Sequence, residues 1–325
     1  MRKGLLAIVS LLGVMGLQAQ VVLHKQHHFK KTVPAGNYSG ITWLGDNRYA
    51  VVNDKSETSG FHLMTIDIDS ISGDIIFARE DSFVSSNEPN RDEEGICFVP
   101  QENTLFISAE ADGHVKEYEM SGSLTGRELD VPEIFKTAHK AFGLEALTYN
   151  AATKRFWTTT ENTLKADGER PDIRNKGNNR LRLQSFDNEL KPCEQYWYET
   201  DSSVVRKTKG EIYLGVAGMA ALDDGRIIVL EREIFLAPKK VGSFVNVKLF
   251  VVNPASQQPG EKLIKTLLVE FRTKMNLTNH KFANYEGICV GRRMADGRQV
   301  LVMVADSQNQ YKGLMRDWFR TVVFD

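Results

Sequence analysis

Residues Asn90 to Pro100 read NRDEEGICFVP, and Asn284 to Arg293 read NYEGICVGRR, so one Glu-Gly-Ile-Cys motif stands twice, far apart in the chain. A chain that repeats itself folds as repeated units, because each copy buries its apolar face only against its neighbours. The pattern of a small residue, an apolar run, a short turn, a β-branched run and a closing acid recovers five copies. They start at Ser39, Glu94, Glu145, Ala217 and Glu286. Each has a turn signal between its two apolar runs: Gly45-Asp46-Asn47, Gln101-Glu102-Asn103, Asn150 to Lys154, Asp223-Asp224-Gly225 and Ala295-Asp296-Gly297. Apolar runs joined by Asp, Asn and Gly are hairpins.

One or two further strand-like runs follow each hairpin, among them Phe61 to Ile68, Val115 to Met120, Leu181 to Phe186, Val245 to Val252 and Thr321 to Phe324. About four strands per unit, at a period of roughly fifty to seventy residues, predict an all-β fold, the β-propeller. Five blades are expected, and six if Glu145 to Ala217 or Ala217 to Glu286 hides a degenerate one. Little chain remains after Asp306, whereas Val21 to Thr32 looks like a strand without a blade. The N-terminal strand is therefore expected to complete the last blade and cover its edge.

The first twenty residues, MRKGLLAIVSLLGVMGLQAQ, have a basic start, an apolar middle and a small-residue end. They read as a signal peptide over residues 1–20, leaving 21–325 as a single propeller domain, secreted or periplasmic. The apolar run is shorter than the roughly 20 residues of a spanning helix, so no membrane span is expected. A formal net charge of −1 gives no reason to expect nucleic acid as a partner. Three cysteines are too few for a disulfide scaffold. Cys97 and Cys289 occupy equivalent positions and read as small buried hydrophobes. A monomer is expected.

Aligning the copies exposes two columns. Ser39, Glu94, Glu145, Ala217 and Glu286 precede the first apolar run, and Asp54, Glu110, Glu161, Glu231 and Asp306 close the second. The start of one hairpin strand lies beside the end of its partner. The eight carboxylates should therefore meet at one mouth of the central channel, with the glycine of the repeated Glu-Gly-Ile easing close packing at the axis. Clustered carboxylates repel one another, and a hard cation is their natural partner: calcium accepts six to eight oxygen ligands in flexible geometry. Zinc suits the set less well, for no His or Cys accompanies it at ligand spacing. The competing reading is that the acids accept backbone hydrogen bonds or pair with Arg and Lys. Segments expected on the same face bring Arg91, His139, Lys140, Arg232 and His280, which suit an anionic ligand such as a phosphate ester. His24, His27 and His28 form either a metal site or a plain edge strand. No Gly-x-Ser-x-Gly elbow, P-loop or His-Glu-x-x-His is present.

The Asp92-to-Ile96, Gly143-to-Leu147 and Tyr285-to-Ile288 segments, repeated in register, resemble the phytase-like β-propeller proteins, the family termed esterase-like activity of phytase. The resemblance runs from about Ser39 to the C-terminus. It implies a secreted bacterial propeller that hydrolyses phosphoesters or esters, with calcium at the channel mouth holding the phosphate and activating water. The matching acids are Glu94, Glu145 and Glu286 in catalytic or metal-binding roles, and Asp54, Glu110, Glu161, Glu231 and Asp306 as further ligands. Glu94 or Glu286 could be a general base. The acidic Asp-Asp-Pro tract of those phytases is missing, which argues against phytate itself. The expectation from another class is a non-catalytic propeller that binds a protein, a glycan or a small anionic ligand, favoured by any exposed aromatic patch around Trp318 and Phe319.

Overall fold

A computed structural model describes residues 21–275 and 281–325. The expected signal peptide and His280 lie outside the described residues. Four four-stranded sheets, each pairing its strands in sequence order, succeed one another along the chain, and a fifth joins strands from both ends of it. Blade 1 holds Tyr38–Gly45, Arg48–Asn53, Thr58–Ile68 and Ile75–Pro89. Blade 2 holds Glu93–Val99, Thr104–Ala109, Val115–Glu119 and Leu124–Glu128. Blade 3 holds Leu144–Asn150, Arg155–Thr160, Arg180–Phe186 and Pro192–Glu199. Blade 4 holds Glu211–Ala221, Ile227–Leu236, Phe244–Val252 and Lys265–Lys274. Blade 5 takes Asn284–Val290, Gln299–Asp306 and Trp318–Phe324 from the C-terminus.

The fold is a five-bladed propeller, and the long intervals that left room for a sixth blade contain complete blades 3 and 4. Each expected turn holds a residue at positive φ: Asp46, Asn103, Lys154, Gly225 and Gly297. That backbone shape is why Asp, Asn and Gly mark these turns. The outer strand of blade 2, Leu124–Glu128, is exposed throughout. It carries no apolar alternation, so only the paired partner reveals it.

Each first strand packs against the first strands of both neighbouring blades, and blade 5 packs back on blade 1, closing the ring. The N-terminal segment finishes blade 5 in two short pieces. Val22 pairs with Val323 and Leu23 with Val322, then His27 with Phe319 and His28 with Trp318. The histidines serve this closure. His27 Nε2 lies 2.8 Å from Asp74 Oδ1 on blade 1, and His28 Nε2 lies 3.9 Å from the buried Asp317. Phe319 is fully buried beneath the closing segment, so it adds nothing to an exposed aromatic patch.

Apolar residues from facing blades make the core, the largest cluster joining blades 4 and 5. At the axis a void of about 10 Å³, no larger than one water needs, is lined by the apolar ring of Ile41, Ile96, Leu147, Met219 and Ile288 and by Glu94, Glu145 and Glu286. This apolar plug separates two open mouths.

Candidate metal and substrate site

The innermost hairpins share an irregularity that aims their side chains. Register slips between Tyr38 and Ile41, Glu93 and Ile96, Leu144 and Ala146, Val216 and Gly218, and Tyr285 and Gly287. Each slip is a bulge enclosing the first-column residue, and a bulge re-aims a side chain that plain pleating would send elsewhere. Glycine follows in four of them, and alanine, Ala146, in blade 3, because the blades converge there. A Cβ on Gly40 would lie 2.4 Å from the Glu94 carbonyl oxygen, and one on Gly218 would lie 2.5 Å from that of Glu286.

The second column is built differently from its sequence reading at one place. Asn53, Ala109, Thr160, Glu231 and Ala305 occupy matching positions, opposite Tyr38, Glu93, Leu144, Val216 and Tyr285. The residues that follow them are Asp54, Glu110, Glu161, Arg232 and Asp306. Glu231 is thus one residue out of step, and a one-residue shift turns a strand residue to the opposite face. Its carboxylate accepts hydrogen bonds from Tyr198 Oη at 2.7 Å and the Asp201 N–H at 3.0 Å, and meets Lys265 Nζ at 2.5 Å. The fifth member of the column is a cation, Arg232. Counting from the turn finds it: Asp54, Glu161 and Arg232 each follow an arginine, Arg48, Arg155 and Arg226, by the same interval.

The remaining acids of both columns line one cavity of about 500 Å³: Asp54, Glu94, Glu110, Glu145, Glu161, Glu286 and Asp306, joined by Asp92. Lys55, Arg232 and Lys240 are the cationic residues on its wall, so eight acids face three bases and the lining carries a formal charge of −5. The charge is unevenly compensated. Arg232, with a side chain 6% exposed, donates to Glu161 and Glu286 and, at 3.1 Å, to Asn284 Oδ1. Burial opposes its charge, but Glu286, Glu161 and Glu145 hold the proton firmly on the guanidinium.

Across the mouth the acids have less help. Lys55 Nζ lies 2.8 Å from Asp54 Oδ2 and also touches Asp92. Glu110 accepts the Gly143 N–H at 2.6 Å. Among the described residues no hydrogen bond reaches the Glu94 or Glu145 carboxylates, and Asp54 Oδ1 is buried without a partner. Burial raises the pKa of Glu94, and the neighbouring charges of Glu145 and Glu286 raise it further. Burial and then Glu161 do the same to Glu145. Burial also raises Glu286, against the pull of Arg232. Glu110 is pushed up to about 7 by burial and by Glu161, and Asp306 up to about 7 by burial and, among its charged neighbours, by Asp54. Such carboxyls keep their protons near neutrality unless a cation arrives.

Asp54, Asp92 and Glu94 offer ligand oxygens that all lie within 4.8 Å of one another, and this cluster can hold a metal ion. It is the one group of three potential ligands among the described residues, so His24, His27 and His28 do not converge as a metal site. Asp92, with φ of 63°, sits where the chain turns into blade 2. Its place directly ahead of Glu93-Glu94-Gly95 was the signal for it.

The expected substrate-binding residues divide. Arg232 lines the cavity. Arg91 does not: its guanidinium lies 3.0 Å from Asp112 and 3.1 Å from Tyr118 Oη, inside blade 2. His139 and Lys140 precede Ala141 and Phe142, which do reach the cavity, but neither is part of its wall.

The opposite mouth is a cavity of about 450 Å³ whose lining includes Trp43, Phe98, Tyr149, Leu222 and Val290. Cys97 and Cys289 line it too, and burial pushes both thiols up, away from thiolate chemistry.

The family model for phytase-like proteins, described as esterase-like activity of phytase, matches residues 33–308. Among solved structures the chain is similar to a luciferin-regenerating enzyme, at 12% identity and a TM-score of 0.45, covering 92% of this chain and 94% of that one. It is similar also to the endo-arabinase of Bacteroides thetaiotaomicron VPI-5482, at 10% identity and a TM-score of 0.48 over 90% of this chain and 96% of that one. A streptogramin B lyase matches at 12% identity and a TM-score of 0.39, over 94% and 98% of the two chains. A comparison with curated proteins finds no match.

Proposed function

Because the chain belongs to the phytase-like family, we propose that it hydrolyses phosphoesters with the help of a divalent cation, calcium, at the acidic mouth. The observation that carries this reading is the Asp54, Asp92 and Glu94 cluster beside carboxylates that no protein cation neutralises. The donor set fits. Every candidate ligand is a carboxylate oxygen, no His or Cys lines the cavity among the described residues, and Asp54 Oδ1 lacks any partner. Calcium holds oxygens at about 2.3–2.6 Å, so ligands on opposite sides of it stand roughly 5 Å apart, and these three, all within 4.8 Å of one another, fall inside that reach.

When bound, the cation would polarise a phosphoryl oxygen and acidify a water. Glu145 is the residue placed to take a proton from an attacking water. It lines the cavity, is spared hydrogen bonds among the described residues, and has its pKa raised by burial and by Glu161. Glu286 is less free, since Arg232 and Asn284 both engage it. Lys55, whose side chain is 58% exposed, can turn from Asp54 and Asp92 toward the bound phosphoryl group once their charge is met otherwise. No described helix is long and apolar enough to cross a membrane. The basic and apolar start of the chain supports action outside the cytoplasm.

The test is phosphate release from a panel of monoesters and diesters with and without a calcium chelator. Chelator-sensitive turnover is expected, together with a calcium-induced rise in melting temperature, about 2.7 kcal/mol of stabilisation at one hundred times Kd. A rise in melting temperature without turnover on any ester would replace this reading with that of a calcium-binding, non-catalytic propeller.

A further inference from the structure

The acidic mouth has one apolar side. In blades 1, 2 and 3 the second strand stops just before the second column, at Asn53, Ala109 and Thr160. In blade 4 it runs on to Leu236, four residues past Arg232. At ~3.3 Å per residue this lifts the hairpin roughly 13 Å beyond the ring of carboxylates. Successive side chains alternate along a strand, so Arg232, Ile234 and Leu236 share a face, and all three line the cavity. Tyr213, paired with Ile234 on the neighbouring strand, lines it as well. Phe282 and Met315 close the wall from behind, and Ile234 and Leu236 pack on the core cluster to which both belong.

Resting on the reading of this mouth as a phosphoesterase site, we propose that its substrate is an ester with a single anionic head and an apolar alcohol group, the head meeting the Asp54, Asp92 and Glu94 corner and the apolar group lying along the blade 4 wall. A polyphosphorylated polyol fits the cavity poorly. Its further phosphates would face a lining in which eight acids outnumber three bases, with Arg232 held by Glu161 and Glu286 and Lys55 by Asp54 and Asp92, so that Lys240 alone among the cationic wall residues has no ion pair within the described residues. An alkyl or aryl group asks for no counter-charge, and the volume of about 500 Å³ lies in the range of small-molecule pockets.

The experiment is calorimetric titration of the calcium-loaded protein with ethyl, butyl, hexyl and octyl phosphonate, beside alkyltrimethylammonium ions of the same lengths. Phosphonate affinity should rise about fourfold for each methylene that the wall covers. Leu236→Ser should flatten the rise from butyl onward. Leu267→Ser, at a 48% exposed site on the outer strand of blade 4, should leave it unchanged. Thermal melts of both variants report whether the fold is retained, and Ile234→Thr, which keeps a β-branched strand residue, gives a second reading of the slope. Equal affinity along the phosphonate series overturns the proposal, as does length-dependent binding confined to the ammonium ions. Length-dependent phosphonate binding without hydrolysis of any ester would remove the hydrolase reading and leave the apolar-group assignment standing.

Discussion

The two mouths of the channel are made by the same five strands and share little else. Toward one end of the innermost strands stand the first-column residues Ser39, Glu94, Glu145 and Glu286, with Ala217 level with them on the longer strand of blade 4. Four residues further on, Trp43, Phe98, Tyr149, Ala221 and Val290 stand at the other. Between them lies the ring of Ile41, Ile96, Leu147, Met219 and Ile288. The acidic end carries the five bulges and the projecting hairpin of blade 4, while the apolar end carries tight turns braced within themselves and against the next blade. Asn150, for example, accepts the N–H groups of Ala152 and Thr153 and donates to the Leu222 carbonyl. The contrast teaches that the clustered carboxylates lie on one side of the plug. At that side burial and mutual repulsion hold charged groups away from their ordinary titration, which is the usual physical condition of a reactive site.

The largest effect expected to sharpen this contrast is in turnover. Glu145→Gln should lower kcat by about 10²–10⁴-fold with the fold retained. Phe98→Leu at the apolar mouth should change kcat/KM less than about threefold, a change in a group remote from the transition state. Comparable losses at both mouths would break the contrast. Next is stability: Arg232→Met leaves Glu161 and Glu286 buried without their cation and should cost about 3–5 kcal/mol in denaturant unfolding. An unchanged midpoint would contradict the assignment of Arg232 as the counter-charge of these two acids.

The smallest effect is a pH slope. Glu110 and Asp306 bind protons up to about pH 7 in the folded chain, against ordinary values of 4.5 and 3.8. The folded state therefore holds more protons than the unfolded one between about pH 4 and 7, and stability falls as pH rises through that window, levelling above it. The chelated protein should melt at a higher temperature at pH 5 than at pH 7.5. Glu110→Gln should remove part of the difference, and a melting temperature that climbs over this range would contradict the assigned shifts.

Much of the architecture was legible because it rests on local rules. Turn residues such as Asp46 and Gly225 name their own backbone conformation, and the continuous apolar runs beside them mark strands buried on both faces. The first acidic column was readable for the same reason, since Glu-Gly-Ile marks a bulge and a close approach together. The second column was not wholly readable: Glu231 and Arg232 are neighbours, and only the register opposite Val216 tells which one faces the mouth. Arg91 looked free to bind an anion until blade 2 placed Asp112 and Tyr118 around it. The apolar wall of Ile234 and Leu236 looked like ordinary strand alternation, because nothing local says that a strand outruns its neighbours.

Residue order alone specified the repeated hairpins, the strand periodicity and the abundance of acids at hairpin ends, since these depend on backbone preferences spanning a few residues. The closed ring alone settled which acids share a cavity, which of them Arg232 neutralises and which side is apolar. Those outcomes depend on distances between blades, and such distances exist only once the last strand has met the first.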